Sequence, residues 1–351
     1  MTGKQRTVFP GNNSSRGFYS YYASGLSATE KIYILKGGPG TGKSSLIRHV
    51  GETCRNHGID VEFWQCSSDN DSLDGVLIPS RSAAVIDGTA PHTMDPIYPG
   101  VRETIIHLGD FWDETILSQK KYEIISISNH IAAVFDKAYA LLHEAARNDA
   151  LIRDDHREKK PFEFDAETLL SNVLNEETPF IRHLFAAAVT PEGVIDLRQE
   201  LCLDHQQRIY LVGGKRSQRE SCLKKIIAAG EKRGFAMDVF HGHLDPEEII
   251  MVSFPKRSIV FTSAEQLPAK MQKGDKIIRF ESVHLRSEQQ KALLKRDVLL
   301  EKAVAHLRIA HQLHDDLERY YIAAMDFDAV DSIAAELGQN ILKSTAGFKK
   351  I

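Results

Sequence analysis

KIYILKGGPGTGKSSL, residues 31–46, is the stretch that decides the fold of this 351-residue chain. Apolar and β-branched residues, typical of a buried strand, lead into a glycine-rich turn, and a helical pattern begins at Lys43. This order of strand, turn and helix separates a true GxxxxGK[ST] phosphate loop from a chance match at 37–44. The stretch therefore predicts an α/β fold.

The residue types of this loop suit a nucleoside triphosphate. Glycines let successive backbone N–H groups curl around a phosphate, and the following helix adds the positive end of its dipole. Lys43 can bridge the β- and γ-phosphates, and the Ser44 hydroxyl can bind Mg²⁺. The predicted nucleotide-binding residues are Gly37, Gly38, Pro39, Gly40, Thr41, Gly42, Lys43, Ser44 and Ser45. The predicted cofactors are ATP, or another nucleoside triphosphate, and Mg²⁺.

An aspartate at the end of an apolar strand is the expected partner of this loop. The segment AAVID, residues 83–87, supplies it as Asp87. A carboxylate at the tip of a buried strand can hold Mg²⁺ through a water ligand. The predicted metal-binding residues are therefore Ser44 and Asp87.

The two motifs together resemble the Walker A and Walker B elements of the P-loop NTPases, over about residues 31–92. The resemblance implies the fold of that superfamily and binding of MgATP or MgGTP. The whole layout, with DGTAPH at 87–92, also looks like a family of uncharacterised bacterial tandem P-loop proteins. Proteins of that family are described only as ATPases or nucleotide kinases, so the resemblance implies little about the substrate.

The chain repeats its own plan. Residues 31–46 align with RIYLVGGKRSQRESCL at 208–223, and residues 58–82 align with 234–258. Alternating strands and helices predict a parallel sheet with helices on both faces in each copy. A long helical extension is expected after each sheet, over 113–148 and for some 35 residues from Ser287. We therefore expect two tandem P-loop-like three-layer α/β modules, residues 1–177 and 178–351, that pack on each other.

The second copy lacks the chemistry of the first. In this alignment Glu220 replaces Lys43 and Ser263 replaces Asp87, so the second module is predicted to be a non-catalytic repeat. It is interpreted either as a structural or docking half, or as a partner that lends Arg216 or Arg219 to the first site as an arginine finger.

Three functions remain open for the first module. Many ATPases place a glutamate directly after the Walker B aspartate to polarise water, but here that residue is Gly88. Asp69 or Asp71 is the candidate to position water, or to accept a proton from a substrate hydroxyl, beside Lys43 and Asp87 as the other catalytic candidates. We favour an ATPase, with two alternatives. One is a kinase acting on a small metabolite or nucleotide, and the other is a nucleotide-gated interaction protein with negligible turnover.

Two further groups near the site have a functional and a structural interpretation. Thr89 and His92 follow the Asp87 strand, where a γ-phosphate sensor would lie, but turn residues also explain them. The aromatic cluster of Phe18, Tyr19, Tyr21 and Tyr22 is either a stacking platform for the base or part of the core.

Composition narrows the class of protein. A net charge of −4 and a pI near 6.4 argue against a protein that coats nucleic acid, and no strong nucleic-acid signal is present. The start of the chain lacks the apolar run of a signal peptide, no apolar run is long enough for a membrane span, and four isolated cysteines do not suggest disulfides. We expect a soluble, cytoplasmic protein whose partners are a nucleoside triphosphate and a small-molecule acceptor or another protein.

Overall fold

The computed structural model describes residues 2–153, 180–265, 267, 271–281 and 284–344. The strands are β1 Gln5–Val8, β2 Gly11–Ser14, β3 Gly17–Ser20, β4 Lys31–Lys36, β5 Val61–Gln65, β6 Leu73–Ile78, β7 Ala83–Asp87, β8 Glu103–His107, β9 Ile181–Phe185, β10 Ala187–Thr190, β11 Gly193–Asp196, β12 Gln207–Val212, β13 Met237–His241, β14 Ile249–Phe254, β15 Ile259–Ala264 and β16 Asp275–Arg279. The α-helices are α1 Tyr22–Gly25, α2 Lys43–Asn56, α3 Glu114–Gln119, α4 Lys121–Arg153, α5 Arg198–Leu203, α6 Arg216–Lys232, α7 Ser287–Ile322 and α8 Phe327–Lys343. The predicted boundary between the copies, at 177/178, lies outside the described residues.

The chain forms two six-stranded sheets with the same internal order. The first sheet runs β1-β5-β6-β7-β4-β8, and the second runs β9-β13-β14-β15-β12-β16. Each copy also has a two-stranded hairpin before its first long strand, β2-β3 in one copy and β10-β11 in the other. Because every strand of one copy has its counterpart in the other, the internal repeat is visible in the topology itself.

The sheets are mixed but mostly parallel, so the expectation of a parallel sheet in each copy is confirmed only in part. In the first sheet β6 is antiparallel to both of its neighbours, and in the second sheet β14 is. The expected alternation of strands and helices has no place for β6, which follows β5 without a helix between them and is fully buried. A short connection can only return the chain antiparallel, since parallel strands need a long crossover.

One face of each sheet packs against helices. In the first copy, Leu46 and Val50 of α2 share a core cluster with Val330 and Leu337 of α8. Helix α8 comes from the end of the chain, so the C-terminal helices clasp the sheet of the first copy. The long helices α4 and α7 pack side by side through a second cluster that includes Leu142 and Leu307.

The opposite faces of the sheets contribute to a single core shared by both copies. Ile34 from β4 and Val260 from β15 belong to the same buried cluster, which also contains residues at the short helices α1 and α5. At the junction Phe9 and Phe185 exchange two backbone hydrogen bonds, with N···O distances of 3.1 and 2.9 Å. The two halves therefore pack on each other. Across the described ranges, none of the helices combines the length and the apolar character that a bilayer crossing needs.

Candidate functional site

The glycine-rich loop, residues 37–42, joins the end of β4 to the start of α2. Gly40 and Gly42 have φ values of 67° and 85°, a left-handed conformation that glycine adopts without strain. Gly42 directly precedes the first residue of α2, so the loop amides and the helix N-terminus meet at one place. This geometry fits an anion.

Lys43 and Asp87 meet beneath this loop. The Lys43 ammonium donates to the carbonyls of Gly37 and Gly38 at 3.1 and 2.6 Å and lies 3.7 Å from Asp87 Oδ2. Asp87 Oδ1 accepts hydrogen bonds from the backbone N–H and the hydroxyl of Thr89. Thr89 thus orients the carboxylate, and its role as a phosphate sensor stays a prediction.

The oxygen atoms available here fit a magnesium ion. Ser44 Oγ accepts a hydrogen bond from the Leu73 N–H at 2.9 Å, and Asp87 Oδ2 lies 3.7 Å from the ammonium of Lys43. In the described part of the chain, no group of three or more His, Cys, Asp and Glu side chains is placed to hold a metal. Mg²⁺ normally takes one or two protein oxygens and completes its shell with phosphates and waters. Ser44 and Asp87 therefore suit Mg²⁺ bound together with a nucleotide.

The other two predicted catalytic residues lie in the turn after β5. Asp69 Oδ1 accepts from the backbone N–H of Asp71, and Asp69 Oδ2 accepts from the Ser72 hydroxyl, so the turn uses both carboxylate oxygens. In the second copy Asp245 Oδ1 accepts from the Glu247 N–H in the same way. Asp71 is exposed. Both Asp69 and Asp71 line the cavity described next.

A cavity of about 1020 Å³, here called the chamber, opens from the glycine-rich loop. Except for Gly38, every predicted nucleotide-binding residue lines it. Phe135 and Tyr139 of α4 form part of the far wall, together with His314 and Glu318 of α7. The long helices therefore cover the predicted site, which local sequence patterns did not indicate.

Helix α7 contacts the loop directly. Glu318 Oε1 accepts a hydrogen bond from the Gly40 N–H at 3.1 Å. A Cβ placed on Gly38 would lie 2.6 Å from the Tyr321 ring, so only glycine fits under the helix there. These contacts join residues that are far apart in the chain, and no signal in the sequence could have found them.

A buried polar cluster beside Asp87 joins His92 and Tyr22 to Asp74, which the sequence analysis did not single out. Asp74, Tyr22 and His92 are 3%, 4% and 7% exposed, and His92 Nε2 lies 3.4 Å from Asp74 Oδ1. Burial by itself would lower the pKa of His92, but the nearby carboxylates of Asp74 and Asp87 raise that pKa above its ordinary value. Burial, followed by the charge of Asp74, raises the pKa of the Cys66 thiol. The signal for this cluster was Asp74 itself, a lone carboxylate inside the apolar run of β6.

The predicted aromatic cluster divides between two places. Phe18 lines the chamber, 5.8 Å from the His92 ring, and Tyr22 is buried beneath His92, stacked on it at 5.2 Å. Tyr19 and Tyr21 instead pack against Phe185 at the junction between the copies. Only Phe18 is therefore placed to contact a ligand in the chamber.

The sheet registers correct the alignment of the two loops. Leu35 pairs with Asp87 in the first sheet and Leu211 pairs with Ser263 in the second, so these residues are equivalent. Counting onward, Arg219 and not Glu220 stands in the place of Lys43, and Glu220 stands in the place of Ser44. The prediction that Glu220 replaces Lys43 was therefore wrong by one position.

The second copy has a smaller cavity of about 470 Å³ at the equivalent place. Arg216 and Arg219 line this cavity and not the chamber. The Arg216 guanidinium binds Asp149, and Arg219 donates to Ser263 Oγ and to the carbonyls of Gly213 and Gly214. Both arginines therefore bind groups around the second cavity, and the arginine-finger idea has no geometric support.

Comparisons with known proteins do not extend this description. Neither family models, curated proteins nor solved structures gave a match to the chain. A functional conclusion therefore depends on the loop, on the charged groups below it and on the chamber.

Proposed function

We propose that the protein is a Mg²⁺-dependent ATPase, with ATP bound and hydrolysed in the first copy. The observation that carries this proposal is the meeting of Lys43 and Asp87 at 3.7 Å under a glycine-rich loop that ends at a helix N-terminus. This arrangement supports a P-loop fold, since that fold brings an ammonium, a strand-end carboxylate and converging amides to one phosphate.

Each residue has a defined role in this proposal. The Lys43 ammonium and the loop N–H groups stabilise charge on the γ-phosphate as it transfers. Mg²⁺, when bound by Ser44 and Asp87, would neutralise further phosphate charge. The second copy is a non-catalytic repeat, because Arg219 is bound internally and Ser263 supplies no carboxylate.

The test is the rate of phosphate release from ATP with Mg²⁺, for the wild type and for Lys43→Ala. Loss of one such stabilising group costs about 10²–10³ in rate, so we expect a fall of that size. Glu220→Ala is the matched control in the second copy, and it should retain the wild-type rate. An undiminished rate in Lys43→Ala would contradict the assignment of the site.

A kinase is the second candidate, and the size of the chamber favours it. Its volume of about 1020 Å³ lies at the upper end of the roughly 300–1,000 Å³ usual for ligand pockets, so it leaves room for an acceptor beside ATP. ADP formation that requires an added pool of small metabolites, with label from γ-³²P-ATP in an organic product, would select the kinase. Steady release of inorganic phosphate without acceptor would select the ATPase.

A further inference from the structure

Asp74 lies next to Asp87 on the neighbouring strand. Gly75 pairs with Ile86 in the antiparallel ladder between β6 and β7, so Asp74 and Asp87 follow as the next residues opposite each other. Residues directly opposite in such a ladder point to the same side of the sheet. Two carboxylates thus stand side by side at the floor of the chamber, and both line it.

One oxygen of Asp74 is unused. Asp74 Oδ1 faces His92 Nε2, whereas Oδ2 is buried with no hydrogen-bond partner in the described residues. The Tyr22 hydroxyl and His92 Nδ1 are buried and unpartnered as well. Buried polar atoms nearly always have partners, and those that lack them in a native structure call for an explanation. Asp74 and His92 line the chamber, so a ligand bound there would account for their unpartnered atoms, whereas the Tyr22 hydroxyl lies beside Asp74 and outside the chamber.

The second copy serves as an internal control for this cluster. The register of β13 and β14 makes Ile250 the equivalent of Asp74, and Ile250 belongs to the apolar core. Arg198 stands where the first copy has Tyr22. Among the described residues, the polar cluster is therefore absent from the copy in which Arg216 and Gln218 replace Gly40 and Gly42 and Ser263 replaces Asp87, although the strands around it are retained.

We infer that Asp74 is the catalytic residue that orients the attacking water and accepts its proton, with His92 as its positioning residue. This inference depends on the proposed ATPase function and deepens it. It also accounts for Gly88, because the carboxylate that many ATPases carry after the strand-end aspartate is here supplied by the adjacent strand. Asp69 is a weaker candidate, since both its oxygens are engaged in the turn, and Asp71 is exposed.

The step balances as follows. A lone pair of the water oxygen forms a bond to the γ-phosphorus, and the bond from that phosphorus to the β–γ bridging oxygen breaks. The electron pair of the broken bond stays on ADP. One water proton passes to the Asp74 carboxylate, which later releases it to solvent. His92 holds this carboxylate in place through Oδ1, which lies 3.4 Å from His92 Nε2.

The experiment measures kcat and KM for ATP, and ATP affinity by equilibrium titration, in Asp74→Asn and in the wild type. General-base catalysis contributes about 10²–10⁴-fold, so kcat should fall by that factor while ATP affinity is unchanged. Asp110→Asn is the matched control, because Asp110 is an exposed carboxylate of the same copy that does not line the chamber. Its kcat should equal that of the wild type.

Three outcomes would overturn the inference. The first is wild-type kcat in Asp74→Asn, and the second is recovery of its kcat at high Mg²⁺, which would make Asp74 a metal ligand. If Asp74→Asn does not melt cooperatively, His92→Gln takes its place in the experiment. An unchanged kcat in His92→Gln is the third outcome that would overturn the inference. Each of these leaves the proposed function standing if Lys43→Ala still loses activity, whereas a wild type that does not bind ATP would overturn the proposed function itself.

Discussion

At the scale of single residues, Arg219 shows how the second copy keeps the fold of the first with a different side chain in the place of Lys43. Lys43 donates to the carbonyls of Gly37 and Gly38, and Arg219 donates to the carbonyls at the two equivalent positions. The guanidinium also donates to Ser263 Oγ at 2.8 Å, and burial lowers the pKa of Arg219 below its usual value. Arg219 is thus an internal crosslink between the loop and β15.

We expect Arg219→Ala to destabilise the protein without weakening ATP binding. Two carbonyls and a hydroxyl would lose their donor in a buried place, which costs about 1–3 kcal/mol. Urea denaturation should report a lower free energy of unfolding, and titration with ATP should give the wild-type affinity. Lys43→Ala is the matched variant in the first copy and should lower the ATP affinity. An ATP affinity that falls in Arg219→Ala would show that the second copy contributes to the site.

Some residues of the site could be identified from sequence, and some could not. The loop and Asp87 have fixed spacings that reflect their chemistry, so the sequence indicated both. Asp74 was missed because a single carboxylate in an apolar strand has no spacing to recognise, and its importance appears only when β6 lies beside β7. The loop alignment slipped by one position because identical residues such as Ile32 and Ile209, or Tyr33 and Tyr210, favour an offset of 177, whereas the sheet pairing gives an offset of 176.

At the scale of elements, the position of α7 is the feature that local patterns could not supply. Its length of 36 residues agrees with the helix of some 35 residues expected from Ser287. Which surface the helix covers depends on contacts between residues that are far apart in the chain. The end of α7 lies on the glycine-rich loop of the other copy, where Glu318 takes a backbone donor that a phosphate would need.

We expect Glu318→Ala to bind ATP more tightly than the wild type. The carboxylate competes for the Gly40 N–H and repels a polyphosphate, and a partly exposed charge contact is worth about 1 kcal/mol, or about fivefold in affinity. Titration with ATP at fixed Mg²⁺ measures the change. Asp315→Ala, about one turn earlier on α7, is the control and should bind ATP as the wild type does. Weaker binding in Glu318→Ala would mean that Glu318 supports the nucleotide.

At the scale of the whole molecule, four buried charges join the two sheets near β1 and β9. Arg182 donates to both oxygens of Glu62 at 3.0 Å and to both oxygens of Asp238 at 2.8 and 3.0 Å. Arg6 lies 2.8 Å from Asp238 Oδ2. Each copy contributes one arginine and one acid at equivalent positions. The internal repeat thus generates a self-complementary junction, as a symmetric dimer does across its two-fold axis.

The acid sensitivity of the protein should depend on this junction. Burial alone would raise the pKa of Glu62 and Asp238, but Arg182 and Arg6 outweigh burial and hold both values below the ordinary carboxyl range. As the pH falls, the unfolded chain therefore binds more protons than the folded protein does. The stability from these pairs is complete above the unfolded pKa values, near 4, and is lost as the pH falls below them.

We expect Arg182→Met to remove about 3–5 kcal/mol from the free energy of unfolding at pH 7, because two buried carboxylates lose their main partner. In the variant only Arg6 still lowers the pKa values of those carboxylates, so its stability should decline less between about pH 5 and pH 3 than that of the wild type. Urea denaturation at several pH values measures both effects. Arg16→Met, which breaks the exposed pair of Arg16 with Glu247, is the control and should change neither stability nor its pH slope. Equal pH slopes in Arg182→Met and the wild type would show that the junction does not set the acid limit of the fold.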